Sequence, residues 1–130
     1  MNLLADTHVL IWWIKGSERL GPRSREAMFH RNTTLWISAV SVWEMSIKIA
    51  RGRLELGAPL EETIRTLFEQ GCRTLPINTL HALAIQTLPL LHGDPFDRML
   101  VAQAQCENLT LVTVDPKISA YNVRTMDASA

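Results

Sequence analysis

The chain has 130 residues, 47% of them hydrophobic and 20% charged, enough apolar material for one core and too little length for a two-domain enzyme; the composition also excludes a disordered tail. Its 13 basic and 13 acidic residues cancel to a formal net charge of 0, which excludes a global field for holding a nucleic acid or an anionic membrane. Any such contact has to come from a local patch.

The first predicted element is a short strand, Asn2 to Ala5, ending at Asp6. Val9, Leu10, Trp12, Trp13 and Ile14 then carry a helical apolar face that Lys15-Gly16-Ser17 breaks. Gly21-Pro22 opens a second helix running through Ala27, Met28 and Phe29 to about Arg31-Asn32, and Leu35 to Ile37 forms a second strand. Ser38 to Ile49 is a long helix stopped by Arg51-Gly52, and Pro59 starts another that Gly71 closes. Arg73 to Ile77 reads as a third strand, and Leu80 to Leu88 as a helix ended by Pro89. Asp94-Pro95 opens the helix that carries Met99, Leu100, Ala102, Gln103 and Cys106. Leu109 to Val114, rich in β-branched residues, is a strand, and Tyr121 to Thr125 a last short one. Alternating strands and helices predict an α/β fold, one domain spanning residues 1–130, with a parallel sheet covered by helices on both faces.

The start of the chain lacks the basic residues and long apolar run of a secretion signal, and Val9 to Ile14 is far shorter than the roughly 20 residues that span a membrane. A cytoplasmic protein with no membrane contact is expected. Cys72 and Cys106 have no Cys or His at metal-finger spacing and are expected to be buried, reduced thiols.

In a parallel sheet the ligand sits at the carboxyl ends of the strands, so the residues just after each strand carry the interest. Four of the five aspartates mark element edges: Asp6 after the first strand, Asp94 and Asp97 at a helix start, Asp115 after the Leu109 to Val114 strand. Glu44 joins them from the helix after the second strand. Each has a structural explanation by itself: Ser41-Val42-Trp43-Glu44 fits a capping box, Asp94 and Asp97 suit a helix N-terminus, and Asp115-Pro116 suits a turn. Taken together they suggest more, because Asp6 and Glu44 are flanked by apolar residues, and carboxylates gathered in a partly dry pocket repel one another unless cations hold them. Mg²⁺ or Mn²⁺ matches an all-oxygen donor set, whereas His8, His30, His81 and His92 are too scattered in sequence for zinc. Ions held this way suit hydrolysis of a phosphodiester. Thr113, two residues before Asp115, could orient a water or a neighbouring carboxylate through its hydroxyl.

These residues resemble the PIN-domain ribonucleases, and among them the VapC-type toxins of toxin–antitoxin pairs. The matching segments are Leu3 to His8, Ile37 to Glu44, His92 to Ala104 and Leu111 to Asp115, in the family's order and over essentially the whole chain. The resemblance implies a three-layer α/β/α sandwich around a mostly parallel sheet of four to five strands, and a Mg²⁺- or Mn²⁺-dependent endoribonuclease. It implies that Asp6, Glu44, Asp97 and Asp115 are catalytic and hold the metal, with Asp94 supporting them; Thr113 joins Asp94 in that supporting role on its strand position alone. It also implies an RNA substrate, a homodimer and silencing by a cognate antitoxin protein. Val114 stands where relatives often carry a polar or basic residue. Arg19, Arg23, Arg25 and Arg31, with Lys48, Arg51 and Arg53, are candidates for RNA phosphate contacts, and Trp12, Trp13, Trp36 and Trp43 could be core or interface.

Two other readings remain at this level. A phospho-accepting signalling domain also places acids at strand ends with Mg²⁺, but it wants an acidic pair after the first strand, where Asp6 is followed by Thr7, and an acceptor Asp after the third, which runs Pro76-Ile77-Asn78. The other is a catalytically idle interaction module whose acids only cap helices.

Overall fold

The computed structural model describes all of residues 1–130. Five strands, β1 (Asn2–Ala5), β2 (Thr34–Ser38), β3 (Arg73–Leu75), β4 (Thr110–Thr113) and β5 (Thr125–Asp127), form one parallel sheet in the order β3-β2-β1-β4-β5. The chain leaves β1 toward β2 and β3 and later returns to the other side of β1 with β4, so the strand order reverses between β1 and β4. That switch point is where an open parallel sheet forms its ligand crevice.

The helices are α1 (Thr7–Ile14), α2 (Pro22–Met28), α3 (Ala39–Ala50), α4 (Leu60–Glu69), α5 (Thr79–Ala84), α6 (Pro95–Glu107) and α7 (Pro116–Ser119), with a 3₁₀ turn at Ile85–Thr87. Strand residues alternate between two cores. Leu3, Ala5, Leu35, Ile37 and Val112 pack with Val9 and Leu10 of α1, Met28 of α2, Met45 of α3 and Leu67 of α4. Leu4 and Leu111 pack with Leu100, Val101 and Ala104 of α6 and Ile118 of α7. Because β1 and β4 are buried on both faces, they read as continuous apolar runs rather than as alternating ones.

The element boundaries differ from the sequence reading in a few places. β3 stops at Leu75, which pairs with Ser38, the last residue of its only neighbour β2. The Leu80 to Leu88 helix tightens into the 3₁₀ turn after Ala84, and α2 ends at Met28. The last strand lies at Thr125–Asp127, not Tyr121 to Thr125. Tyr121 is buried in the second core, and its hydroxyl accepts hydrogen bonds from Leu91 N–H and His92 N–H, which holds it out of the sheet. Asp115-Pro116 starts the one-turn helix α7. Cys72 is buried as expected, but Cys106 is exposed, since its place on α6 faces away from both cores. No helix is long and apolar enough to cross a membrane.

Candidate active site

The carboxyl ends of β1 and β4 each deliver an acid. Asp6 follows β1 and caps α1, its Oδ1 accepting from His8 N–H at 2.9 Å. Asp115 follows β4 and caps α7, its Oδ1 accepting from Lys117 N–H at 2.9 Å. Thr113 Oγ1, from the end of β4, donates to Asp6 Oδ2 at 2.7 Å and accepts from Asp115 N–H at 3.0 Å. Its hydroxyl therefore ties the Asp6 carboxylate to the backbone of Asp115.

Two helices supply the other acids. Glu44 lies in the second turn of α3, whose cap is Ser38, accepting from Val40 N–H at 3.0 Å; the capping box expected from Ser41 and Glu44 does not form. The helix begins one turn earlier than that box requires, so the Glu44 side chain is left for the site. Asp94 caps α6, its Oδ1 accepting from the amides of Phe96 and Asp97 at 2.8 and 3.2 Å, and Asp97 occupies the first turn. Asp6, Glu44 and Asp97 are 2%, 4% and 4% exposed.

Buried polar bridges set the distances between these elements. Thr7 Oγ1 donates to Ser41 Oγ at 2.9 Å, joining the start of α1 to α3. Ser38 Oγ donates to Gln103 Oε1, and Gln103 Nε2 to Pro76 O at 3.3 Å, which ties α6 to the carboxyl ends of β2 and β3. Each buried bond contributes about 1 kcal/mol net, but breaking one strands its partner at a larger cost.

The acids act on one another. Asp97 has its carboxyl pushed up to about 7, first by burial and then by the negative charges of Asp6, Asp94 and Glu44, which together outweigh the opposing effect of His92. Burial would also raise Asp6, but hydrogen bonds from His8 and Thr113 outweigh it and hold that carboxyl below its ordinary value. The same contact with Asp6 raises the His8 imidazole. Glu44 Oε2 meets Lys48 Nζ at 2.9 Å, while Glu44 Oε1 is buried with no hydrogen-bond partner. An unpartnered carboxylate oxygen in a dry site is costly, and a cation is the group that would satisfy it.

His92 was not singled out by its sequence position, yet it belongs to the site. Its Nε2 lies 2.9 Å from Asp115 Oδ2 and 3.0 Å from Asp97 Oδ2. These three side chains bring one ligand atom each to within 4.8 Å of one another. Its partners are Asp97 and Asp115, which only the fold brings near. Tyr121 and Arg98 were missed for the same reason. Tyr121 Oη accepts from the Leu91 and His92 amides at 3.1 and 2.9 Å and from Arg98 at 3.1 Å, and Arg98 also donates to Pro89 O at 2.9 Å. On the outer rim Trp43, 56% exposed, meets Phe96 edge to face at 5.0 Å. Of the basic candidates, Lys48 is engaged by Glu44, and Arg25 donates to Ser17 O at 3.3 Å.

A PIN-domain family profile matches residues 3–123. The chain is 30% identical to Ribonuclease VapC22 of Mycobacterium tuberculosis over 121 residues, which is 92% of each protein. Its fold matches VapBC2 of Rickettsia felis, solved bound to a promoter DNA fragment, with a TM-score of 0.72, 16% identity and coverage of 97% of this chain and 98% of that one. It also matches a toxin–antitoxin complex of Klebsiella pneumoniae with a TM-score of 0.66, 20% identity and 97% coverage of both chains.

Proposed function

The chain belongs to the PIN-domain family, and from that premise we propose that it is a metal-dependent endoribonuclease, the toxin of a toxin–antitoxin pair, with residues 1–130 forming a single catalytic domain. The observation that carries this reading is that Asp6, Glu44 and Asp97, from three separate elements, lie close enough for the first two to act electrostatically on Asp97 near the switch point between β1 and β4, with Asp115 joined to Asp97 through His92 and Glu44 Oε1 buried and unpartnered.

Asp6, Glu44, Asp97 and Asp115 fit Mg²⁺ or Mn²⁺, hard ions that take oxygen ligands and keep part of their water shell for substrate phosphate. When bound, such an ion lowers the pKa of a water and offsets charge on the phosphoryl group. The protein's part is to hold the carboxylates ready. Thr113 and the His8 amide fix the two oxygens of Asp6, and Asp94 anchors the turn that presents Asp97. Burial of three of the acids keeps bulk water from screening them.

The kinship with Ribonuclease VapC22 and the fold shared with toxin–antitoxin complexes support RNA as the substrate and a cognate antitoxin as the partner. A homodimer in the cytoplasm completes the proposal. Purified protein should cleave RNA with Mg²⁺ or Mn²⁺ and stop on chelation, and Asp6→Ala and Asp97→Ala should each be inactive while still folded. Cleavage by those variants at the wild-type rate would point to a contaminating nuclease and sink the assignment.

A further inference from the structure

His92 stands among carboxylates in a position open to two chemical roles. His92, Asp97 and Asp115 each bring one ligand atom to within 4.8 Å of the others, which by distance alone would suit an imidazole ligand to the ion. The other ring nitrogen argues against that role. Asp94 N–H points at His92 Nδ1 at 3.1 Å. A backbone amide can only donate, so Nδ1 must accept, and in the neutral ring the hydrogen then sits on Nε2. That Nε2–H donates to Asp115 Oδ2 at 2.9 Å, with Asp97 Oδ2 3.0 Å away. Ligation through Nε2 would move the hydrogen to Nδ1 and set it against the Asp94 amide.

We propose that His92 is a positioning residue that does not bind the ion: as the Nε2–H tautomer it clamps Asp115 beside Asp97, and the Asp94 amide fixes that tautomer. The inference rests on the nuclease reading given above. Such hydrogen bonds to ligating side chains commonly carry tenfold to hundredfold effects on metal affinity. The clamp is itself held by a tie from behind. Tyr121 Oη accepts the Leu91 and His92 amides, and Arg98 spans from Tyr121 Oη to Pro89 O, so the ring enters the site on a loop fixed at both ends. Asp94 thereby acquires a second task, since its side chain caps α6 while its amide selects the His92 tautomer.

The test uses the full chain and Mn²⁺ or Mg²⁺ alone, with binding and spectroscopy as readouts. His92→Ala should weaken Mn²⁺ binding about tenfold to a hundredfold, and His92→Gln, which keeps a side-chain N–H, should recover most of it. Tyr121→Phe, which leaves the ring in place but removes its tie, should weaken binding in the same direction by less. In ¹⁵N-histidine spectra the His92 Nε2 should carry the hydrogen without metal and keep it when Mg²⁺ is added, and pulsed electron paramagnetic resonance of bound Mn²⁺ should show no directly coordinated nitrogen. Wild-type affinity in a folded His92→Ala would overturn the proposal, as would a coordinated nitrogen or a hydrogen moving to Nδ1 on adding the ion. If wild-type protein binds neither ion, the nuclease reading fails first, and the metal-free spectrum still decides the tautomer.

Discussion

Thr113 Oγ1 lies 2.7 Å from Asp6 Oδ2, so one hydroxyl bridges the carboxyl ends of β4 and β1 across 107 positions of sequence. The same oxygen receives the Asp115 amide, which makes Thr113 the shared support of two acids. Thr113→Val keeps the shape and removes both bonds. A hydrogen bond to a charged group contributes about 1.5–3 kcal/mol, so thermal unfolding should show a loss in that range. RNA cleavage should fall about tenfold as Asp6 loses its orientation, while Thr113→Ser restores most of both. Unchanged stability and cleavage in Thr113→Val would show that Asp6 is held by its surroundings without the hydroxyl.

On the proposed reading, Asp97 trades stability for function. Burial and the charges of Asp6, Asp94 and Glu44 all oppose its ionisation. Asp97→Asn retains the side chain's size and removes the repulsion, so in chelator it should be more stable than wild type by about 1 kcal/mol, the common gain when a strained functional site is relieved. The same variant should lose most of the stabilisation that Mn²⁺ gives wild type. Thermal melts with chelator and with Mn²⁺ check both halves. A variant less stable in chelator that still responds fully to Mn²⁺ would place the ion away from Asp97.

The acids were legible because local chemistry and tertiary chemistry coincide on them. A strand running into Asp6 or Asp115, and an Asp-Pro-Phe-Asp helix start, mark both an element boundary and the functional edge of a parallel sheet. Glu44 stands out through its apolar flanks and its place after β2, and the capping box that competed as its explanation fails: Ser38 and Ser41 stand three apart, as do Ser41 and Glu44, and only the end of β2 decides which serine caps the helix. His92 gave no local signal, since neither neighbour in sequence explains it and its partners lie five and twenty-three positions away. β5 was displaced because Met126 is its only partly buried residue, so an edge strand of three residues leaves no pattern to read. The apolar faces of β1, β4 and α6, by contrast, are long enough to declare themselves.

The two thiols should report the fold separately. Cys72 is buried and its thiol is pushed up to about 11 by that burial, whereas Cys106 is exposed on α6. The thiolate is the reactive form. An aromatic disulfide reagent near neutral pH should therefore titrate Cys106 alone in the native protein, and both cysteines in denaturant. Cys106→Ser should abolish the native reaction and leave stability almost unchanged, as expected at an exposed position. Rapid native labelling of Cys72 would mean that the core beside β2 and β3 opens readily.

The pH dependence of stability follows from Asp97 with a definite sign. In the folded chain its carboxyl keeps a proton up to about 7, while an unfolded aspartate releases it near 3.9. Between those values the native state binds more protons than the unfolded state, so the free energy of unfolding falls as pH rises. The contribution is full below about pH 4 and gone above about pH 7, with a slope of at most about 1.4 kcal/mol per pH unit. Asp6, whose carboxyl is lowered, works the other way, but its contribution is lost only as pH falls below the unfolded value, outside this window. His8, raised by Asp6, loses its contribution as pH climbs from about 6.5 through its folded value, and so extends the decline. Urea unfolding in chelator should accordingly show stability decreasing from about pH 4.5 to about pH 7, and Asp97→Asn should flatten the curve. Saturating Mn²⁺ should reverse the slope, because the ion favours the ionised acids and protons then compete with it. Stability rising with pH in chelator would mean that the carboxylates are compensated by groups of the chain itself, and that the site as folded has no need of a cation.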